Sequence, residues 1–367
     1  MLNKLVIENL KHRPVRTILS VLAIAVEVTM MLTVVGLSSG MLEDSRKRAT
    51  GARADVWIRP PGSSVIGLSG APMPEKILEF FSQQEHVVIA TGSVIYPIGG
   101  VHSVTGLDLE TYGRMAGGFD YLEGGAFTDG PPEDQIIVDE RYARQNRLRV
   151  GDTVDLLNRD WQVVGIVEPG KMARLIVPLK RLQELTGSEG RLSQVYLQLD
   201  DPANTDKVIA SLKAQLKDYQ IYSIEEFTSL FSINNVPGLE AFIYVIIGLS
   251  IVVGFLVVFL SLYTAVLERT REIGVLKSLG ASRGYILNVL LRETVLLAIL
   301  GSITGILLTY GTRALVMSLA PASLTQKTAP EWWPIAAGIS LAGAMLGAAY
   351  PGWKAVNQDA IEALSYE

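Results

Sequence analysis

The sequence predicts an α-helical membrane protein with four transmembrane helices and a mixed α/β extracytoplasmic domain inserted after the first. Three observations carry that prediction. Four apolar runs, Thr17–Leu37, Ala241–Val266, Val289–Tyr310 and Trp332–Tyr350, are each near the ~20 residues a helix needs to cross a bilayer core. Between the first and second runs lies a long polar segment, residues 43–238, in which short alternating stretches and turn signals recur. Lysine and arginine gather beside particular ends of the runs: Lys4, Lys11, Arg13 and Arg16 before the first, and Arg269, Arg271, Lys277 and Arg283 after the second. The loop between the third and fourth carries only Arg313 and Lys327. The positive-inside rule then puts both chain termini and the segment after the second run in the cytoplasm, and residues 43–238 outside.

Leu2, Leu5, Val6 and Leu10 form an apolar face beside Lys4, Glu8 and Lys11. This pattern predicts an amphipathic helix on the inner membrane surface, turned into the first span near Pro14. A secretory leader has an apolar region of about 7–15 residues and a small-residue cleavage site. Thr17–Leu37 is longer and lacks a convincing A-x-A, so a retained signal anchor is expected. Glu27 stands in mid-span, where an ionised carboxylate costs about 3 kcal/mol on insertion scales. It is expected to face the bundle or a partner. It is either a polar contact in a substrate or dimer path, or a protonated or interhelical hydrogen-bonded residue of purely structural use.

In the outer segment, strands are expected at Asp55–Arg59, Val87–Ile98, Val101–Gly106, Ile136–Asp139, Arg149–Leu156, Trp161–Val167, Gln194–Leu199 and Gln220–Ser223. Helices are expected at Pro74–Gln83, Glu140–Asn146 and Ala203–Leu216. Ser223 and Glu226 are spaced as a capping box opening a second stalk helix, interrupted near Pro237-Gly238. The Gly/Ser-rich run Gly62–Gly70 reads as a mobile loop, a linker or a partner contact. Asp and Glu are spread without pairing, and neither G-x-S-x-G nor H-E-x-x-H occurs, so no hydrolytic site is expected.

Beyond residue 239, Gly301, Gly305 and Gly311 in the third run, and Gly338, Gly343 and Gly347 in the fourth, are suited to close helix packing. Arg292 and Glu293 are placed for the membrane interface. Trp332 and Trp333 mark one interface, Tyr350 and Trp353 the other. Glu268–Ile286, ERTREIGVLKSLGASRGYI, is too charged to enter lipid, with Glu268, Arg269, Arg271 and Glu272 crowded at its start. It predicts a helix over Arg271–Leu279 with an apolar stripe of Ile273, Leu276 and Leu279, lying across the membrane surface. Gly280 stands at the C-cap, and Ser282 is placed to cap the next helix. From the residues alone, this is a solvated linker helix or a docking element.

Composition narrows the alternatives. Of 367 residues 49% are hydrophobic, with mean hydropathy +0.31, too apolar and too unevenly distributed, in long uncharged runs, for an ordinary soluble enzyme. A net charge of −5 and the lack of basic-aromatic runs argue against nucleic acid as a partner. There is no cysteine, and His12, His86 and His102 are scattered, so no metal site is expected. No G-x-x-x-x-G-K-[ST] occurs, so no P-loop is available to cradle nucleotide phosphates.

The run ERTREIG…K-LGAS resembles the cytoplasmic coupling helix of MacB/FtsX-type ABC transporter permeases. ENLKHRPVRTILSVLAIAV resembles the family's opening, with Ala23 and Glu27 where small glycines are usual. LRVGDTVDL with WQVVGIVEP is similar to its periplasmic domain, and YPGWKAVNQDAIEALSYE to its closing motif, with Ala360 at the usual proline. The resemblance covers nearly the whole chain. It implies three regions: 1–42, an amphipathic helix and first span; 43–238, a MacB-like α/β domain with stalk helices, a split porter-like lobe with a β-rich insertion; and 239–367, an FtsX-like permease domain. It further implies that Glu268, Arg269, Arg271, Glu272, Ile273, Leu276, Lys277, Gly280 and Ser282 meet a separate cytoplasmic ATPase, which holds ATP and magnesium; no cofactor is expected on this chain. A second permease chain, identical or paralogous, and a periplasmic adaptor are the other implied partners, in the inner membrane. The implied function is mechanotransmission, in which ATP-driven motion is carried to the outer domain for export. Extraction of lipoprotein or lipid and regulation of cell-wall enzymes stand as alternatives within the family, and a membrane-anchored sensor or enzyme outside it.

Overall fold

Helix α1 (Pro14–Thr50) begins with Pro14 at its first position, where the missing N–H leaves no intrahelical bond unmade. It runs on through the whole first apolar stretch without a break. The structure is a computed structural model and describes residues 8, 10–63, 72–99, 102–130, 133–235, 238–319 and 324–357. Most of the amphipathic N-terminal stretch, most of the Gly62–Gly70 run and the Ala360–Leu364 turn lie outside the described residues.

After α1 come β1 (Val56–Arg59), α2 (Ile77–Ser82), β2 (Val87–Gly99), β3 (His102–Leu107), α3 (Leu109–Ala116), β4 (Tyr121–Gly124) and β5 (Gln135–Asp139). They are followed by α4 (Glu140–Asn146), β6 (Thr153–Leu156), β7 (Arg159–Val167), β8 (Leu175–Pro178), α5 (Leu179–Thr186), β9 (Gln194–Leu199), α6 (Thr205–Gln215), β10 (Gln220–Ser223) and α7 (Ile224–Ser229). The last four helices are α8 (Leu239–Glu268), α9 (Thr270–Ser278), α10 (Arg283–Leu319) and α11 (Trp333–Asn357). The chain divides into two compact units. One is helical, Met1–Ser39, Gly238–Met317 and Gln326–Glu367; the other, Gly40–Pro237 with Ser318–Thr325, holds the strands.

In the second unit, ten strands form one mixed sheet in the order β10-β1-β9-β2-β3-β8-β5-β7-β4, with β6 added against β7. The β3–β8 and β5–β7 pairs are parallel and the others antiparallel. Strand β1 shows why the sheet is covered on both faces. Successive side chains point to opposite sides. Val56 and Ile58 enter a core with Trp161, Leu182 and Val195, whereas Trp57 enters another with Tyr112, Tyr196 and Phe227. Trp57 stacks on Phe227 with ring centroids 4.0 Å apart, and its Nε1–H donates to Gln194 Oε1 at 3.1 Å.

Side-chain caps start three of the short helices. Asp108 caps α3, Asp139 caps α4, and Ser223 with Glu226 forms the anticipated capping box. That box opens only the short α7, however, which ends at Ser229 rather than continuing as a stalk. Four elements lie outside the sequence expectations: α3, β4, β8 and α5. Strand β8 has no alternation to reveal it, because Leu175, Ile176 and Val177 are all buried.

In the helical unit, α1, α8, α10 and α11 (with the turn Pro330–Trp332 before it) are long and apolar enough to cross a membrane. Close approach rests on particular glycines. A Cβ at Gly301 would stand 2.6 Å from Ile24 Cβ, and one at Gly305 2.7 Å from Val28 Cβ, so α10 lies against the backbone of α1. Gly347 does the same for α11 against α8, 2.6 Å from the Phe255 carbonyl oxygen, while Gly343 makes ordinary contact. Gly311 and Gly338 meet nothing within 4 Å and do not serve packing among the described residues.

Candidate functional site

Helix α9 is set off from α8 by a break at Arg269, whose ψ of 14° and φ of −105° depart from helical values. Its far end closes in a Schellman motif. The Ala281 N–H donates to Leu276 O at 2.9 Å and the Gly280 N–H to Lys277 O at 3.0 Å. Gly280 takes φ +89°, the left-handed conformation that this motif requires and glycine supplies at no steric cost. Ser282 then caps α10, its Oγ accepting from the Tyr285 N–H at 3.2 Å. The charged stretch thus forms a short helix of fixed length between two spans.

Its two faces differ in chemistry. Inward, Ile273 joins Val266, Ile286, Leu290 and Ala355 in a small apolar cluster. Gly274 and Thr270 are buried beside it, with Thr270 Oγ1 donating to Val266 O at 3.0 Å. Lys277 donates from Nζ to the Val356 carbonyl oxygen at 2.8 Å, tying α9 to the end of α11. Outward lie Arg271, Glu272, Val275, Ser278 and Leu279. Val275 is 43% exposed and Leu279 79%, so this face presents two apolar side chains among charges.

This arrangement sorts the residues singled out in the sequence. Arg271, Glu272, Gly280 and Ser282 are accessible, and Leu276 is half-buried. Arg269, Ile273 and Lys277 face the bundle, and Glu268 is held in an ion pair with Arg13. The anticipated stripe of Ile273, Leu276 and Leu279 is not one face of α9. Leu279 falls beyond the helix, and the turn at Gly280 leaves it in the open. Val275, not identified from the sequence, belongs to the accessible face; its spacing, three residues after Glu272 and four before Leu279, is the signal that identifies it.

Glu293 also departs from expectation. It is 1% exposed, not a solvated interfacial charge. Its Oε1 receives Arg16 Nη2 at 2.9 Å, and its Oε2 lies 3.5 Å from Arg269 Nη1. A charge so placed is tolerable only because cations face it. Nothing in the local sequence marks it, since Arg16 and Arg269 are far away along the chain. Glu27 is buried at 2% exposure and lies inside the helical unit against Gly254 of α8.

The second unit has its own ion cluster. Asp44, in the last turns of α1, is contacted by Arg48, by Arg141 Nη1 at 2.7 Å and by Arg174 Nη2 at 2.5 Å. Arg174 also lies 3.9 Å from Asp139. Burial pushes the Asp139 carboxyl up and the Arg174 guanidinium down from their ordinary values, partly offset by the Tyr142 N–H on Asp139 and by Asp44 on Arg174. These groups position the end of α1 on the sheet.

Comparison with known proteins adds identity to this geometry. A family model described as the MacB-like periplasmic core domain matches residues 17–215, and one described as FtsX-like permease C-terminal matches 244–360. The chain is similar to an uncharacterized ABC transporter permease, YknZ, of Bacillus subtilis. The two are 30% identical over 253 residues, 63% of this chain and 61% of that protein. It is also similar to the macrolide export ATP-binding/permease protein MacB of Escherichia coli, 22% identical over 395 residues, 99% of this chain and 60% of that one. The chain thus spans less than two thirds of the length of these curated relatives. Among solved structures, the periplasmic region of MacB from Actinobacillus actinomycetemcomitans aligns with 54% of this chain and 99% of its own, at 17% identity and a TM-score of 0.38.

Proposed function

The chain belongs to the MacB/FtsX-type permeases of ABC transporters, a multi-pass membrane family, and from that premise we propose that α9 is the docking element for an ATPase. The ATPase is a separate cytoplasmic subunit holding ATP and magnesium. Its closure pushes on α9, and the spans carry the motion to the strand-containing unit outside. The supporting observation is the accessible face of α9. Val275 and Leu279 stand exposed on the turns that follow Arg271 and Glu272, while Ile273 and Lys277 hold the opposite face in place. Two apolar anchors with charges beside them suit a partner cleft, since such anchors contribute most of an interface's energy and the charges set orientation.

In this reading Glu272, Arg271 and half-buried Leu276 flank the contact, and Gly280 and Ser282 set the turn that presents Leu279. Arg269 and Glu268 act from behind the helix. A second permease chain completes the transport unit, both termini lie in the cytoplasm of the inner membrane, and the cargo is exported with a periplasmic adaptor. The name of the Escherichia coli relative attaches export to that protein.

The test is affinity recovery of the tagged chain from native membranes, with Val275→Asp and Leu279→Asp combined. Recovery of the ATPase is expected to fall about tenfold or more, as when hot-spot side chains are removed. Undiminished recovery would refute docking through α9. In the same experiment an adaptor recovered with wild type supports export, whereas a lipoprotein carrier or wall hydrolase in its place reassigns the chain to extraction or regulation.

A further inference from the structure

We infer that Glu293 is a positioning residue, the joint through which displacement of α9 is passed to α1; this rests on the coupling role proposed above for α9. Three elements meet at its carboxylate. Glu293 lies on α10, Arg16 in the first turn of α1, and Arg269 at the break between α8 and α9. Oε1 accepts a hydrogen bond from Arg16, and Oε2, without a hydrogen-bond partner among the described residues, lies within ion-pair distance of Arg269. A neighbouring pair repeats the connection, because Glu268, the last residue of α8, meets Arg13, just before α1. Both residues at the hinge that carries α9 are therefore linked to the start of α1, one directly and one through Glu293.

The apolar cluster that seats α9 does not duplicate this link. The cluster beneath α9 consists of Val266, Ile273, Ile286, Leu290, Ala355 and Val356, and among the described residues it contains none from α1. Without the ion pairs, a tilt of α9 would act first on the ends of α8, α10 and α11, and would reach α1 only farther along the bundle, where Ile24 and Val28 share a core with Val258, Leu262 and Leu297. Stability does not account for the arrangement. A buried ion pair is often matched or bettered by apolar residues of the same volume, but breaking one partner's contact is costly. The pairing therefore favours a defined relative position, which a joint that must move both helices together needs. Arg16 Nη1 has no hydrogen-bond partner among the described residues, so the contact to Glu293 is the one the structure gives that guanidinium.

The experiment uses the full-length permease with the ATPase that co-purifies with it, in membranes. The sequence has no cysteine, so a label on Glu189→Cys, an exposed site in the strand-containing unit, is unique. The readout is the ATP-dependent change in that label's signal, measured beside ATPase recovery and thermal stability. Glu293→Gln is expected to retain the ATPase, while lowering the labelled response about tenfold, within the usual range of coupling between sites. Arg269→Gln is expected to lower it similarly, and the double variant to be no worse than either single, because both act through one contact. An unchanged response in both singles, or additive losses in the double, would overturn the joint. Should Glu293→Gln fail to insert stably, Arg269→Gln and Arg16→Gln decide on the same readout. A wild-type complex that binds ATPase through another surface, or shows no labelled response, would instead sink the coupling role of α9, and the joint with it.

Discussion

Glu27 shows how one side chain can set a local constraint inside a membrane bundle. Among the described residues neither of its carboxylate oxygens has a hydrogen-bond partner, and the group lies where a Cβ at Gly254 would stand. A buried polar group without a partner lowers stability, by about 1–3 kcal/mol for neutral groups and more for charged ones. Glu27→Gln is therefore expected to assemble normally and to melt at the same or a higher temperature in detergent. Gly254→Ala is expected to cost about 1–3 kcal/mol, the usual penalty of overpacking. Because the clash is with the Glu27 carboxylate, Glu27→Ala should relieve that cost. Equal destabilisation by Gly254→Ala in both backgrounds would show that the two side chains do not meet.

At the scale of the element, α1 is organised by what holds its ends. Near its start, Arg16 is bound to Glu293; along its middle, Ile24, Ala25 and Val28 receive Gly301 and Gly305; in its last turns, Asp44 gathers Arg48, Arg141 and Arg174. Asp44→Asn leaves three guanidiniums without the carboxylate they share. Removing one side of a buried ion pair typically costs about 3–5 kcal/mol, so the variant should unfold at clearly lower urea than wild type. A loss near 1 kcal/mol, the value of a surface pair, would mean that water reaches the site. Helix α9 follows the same logic in miniature. The Schellman turn at Gly280 fixes its length, and the Lys277 bond to Val356 O fixes its rotation.

For the whole molecule, the division into two compact units with separate cores has a thermodynamic consequence. Trp57 and Trp161 lie in the two cores of the strand-containing unit, whereas Trp332 and Trp333 pack in the helical one. Urea weakens burial against water, but helices surrounded by detergent keep their backbone bonds satisfied internally. Urea titration in mild detergent should therefore give an early fluorescence transition from Trp57 and Trp161 while most of the helical far-ultraviolet signal persists. Single-tryptophan variants assign the transition. Coincident loss of both signals at one midpoint would mean that the two units unfold as one.

The sequence by itself determined the four spans, the charged helix between the second and third, and most strands of the strand-containing unit, because these depend on length, periodicity and caps that are local. Glu140–Asn146 and Gln194–Leu199 coincide with their anticipated bounds for that reason. Strand β8 and helix α5 stayed hidden, since a strand buried on both faces carries no alternation. Only the tertiary structure decided which side of α9 is free. Ile273 and Leu279 are equally apolar in the sequence, and packing against Ile286, Leu290 and Ala355 buries one while the Gly280 turn exposes the other. It also decided that Glu293 is an ion-paired core residue, because its partners come from α1 and the α8–α9 break. The field around a charge is set by what folding brings within a few ångströms, and sequence neighbours do not record that distance.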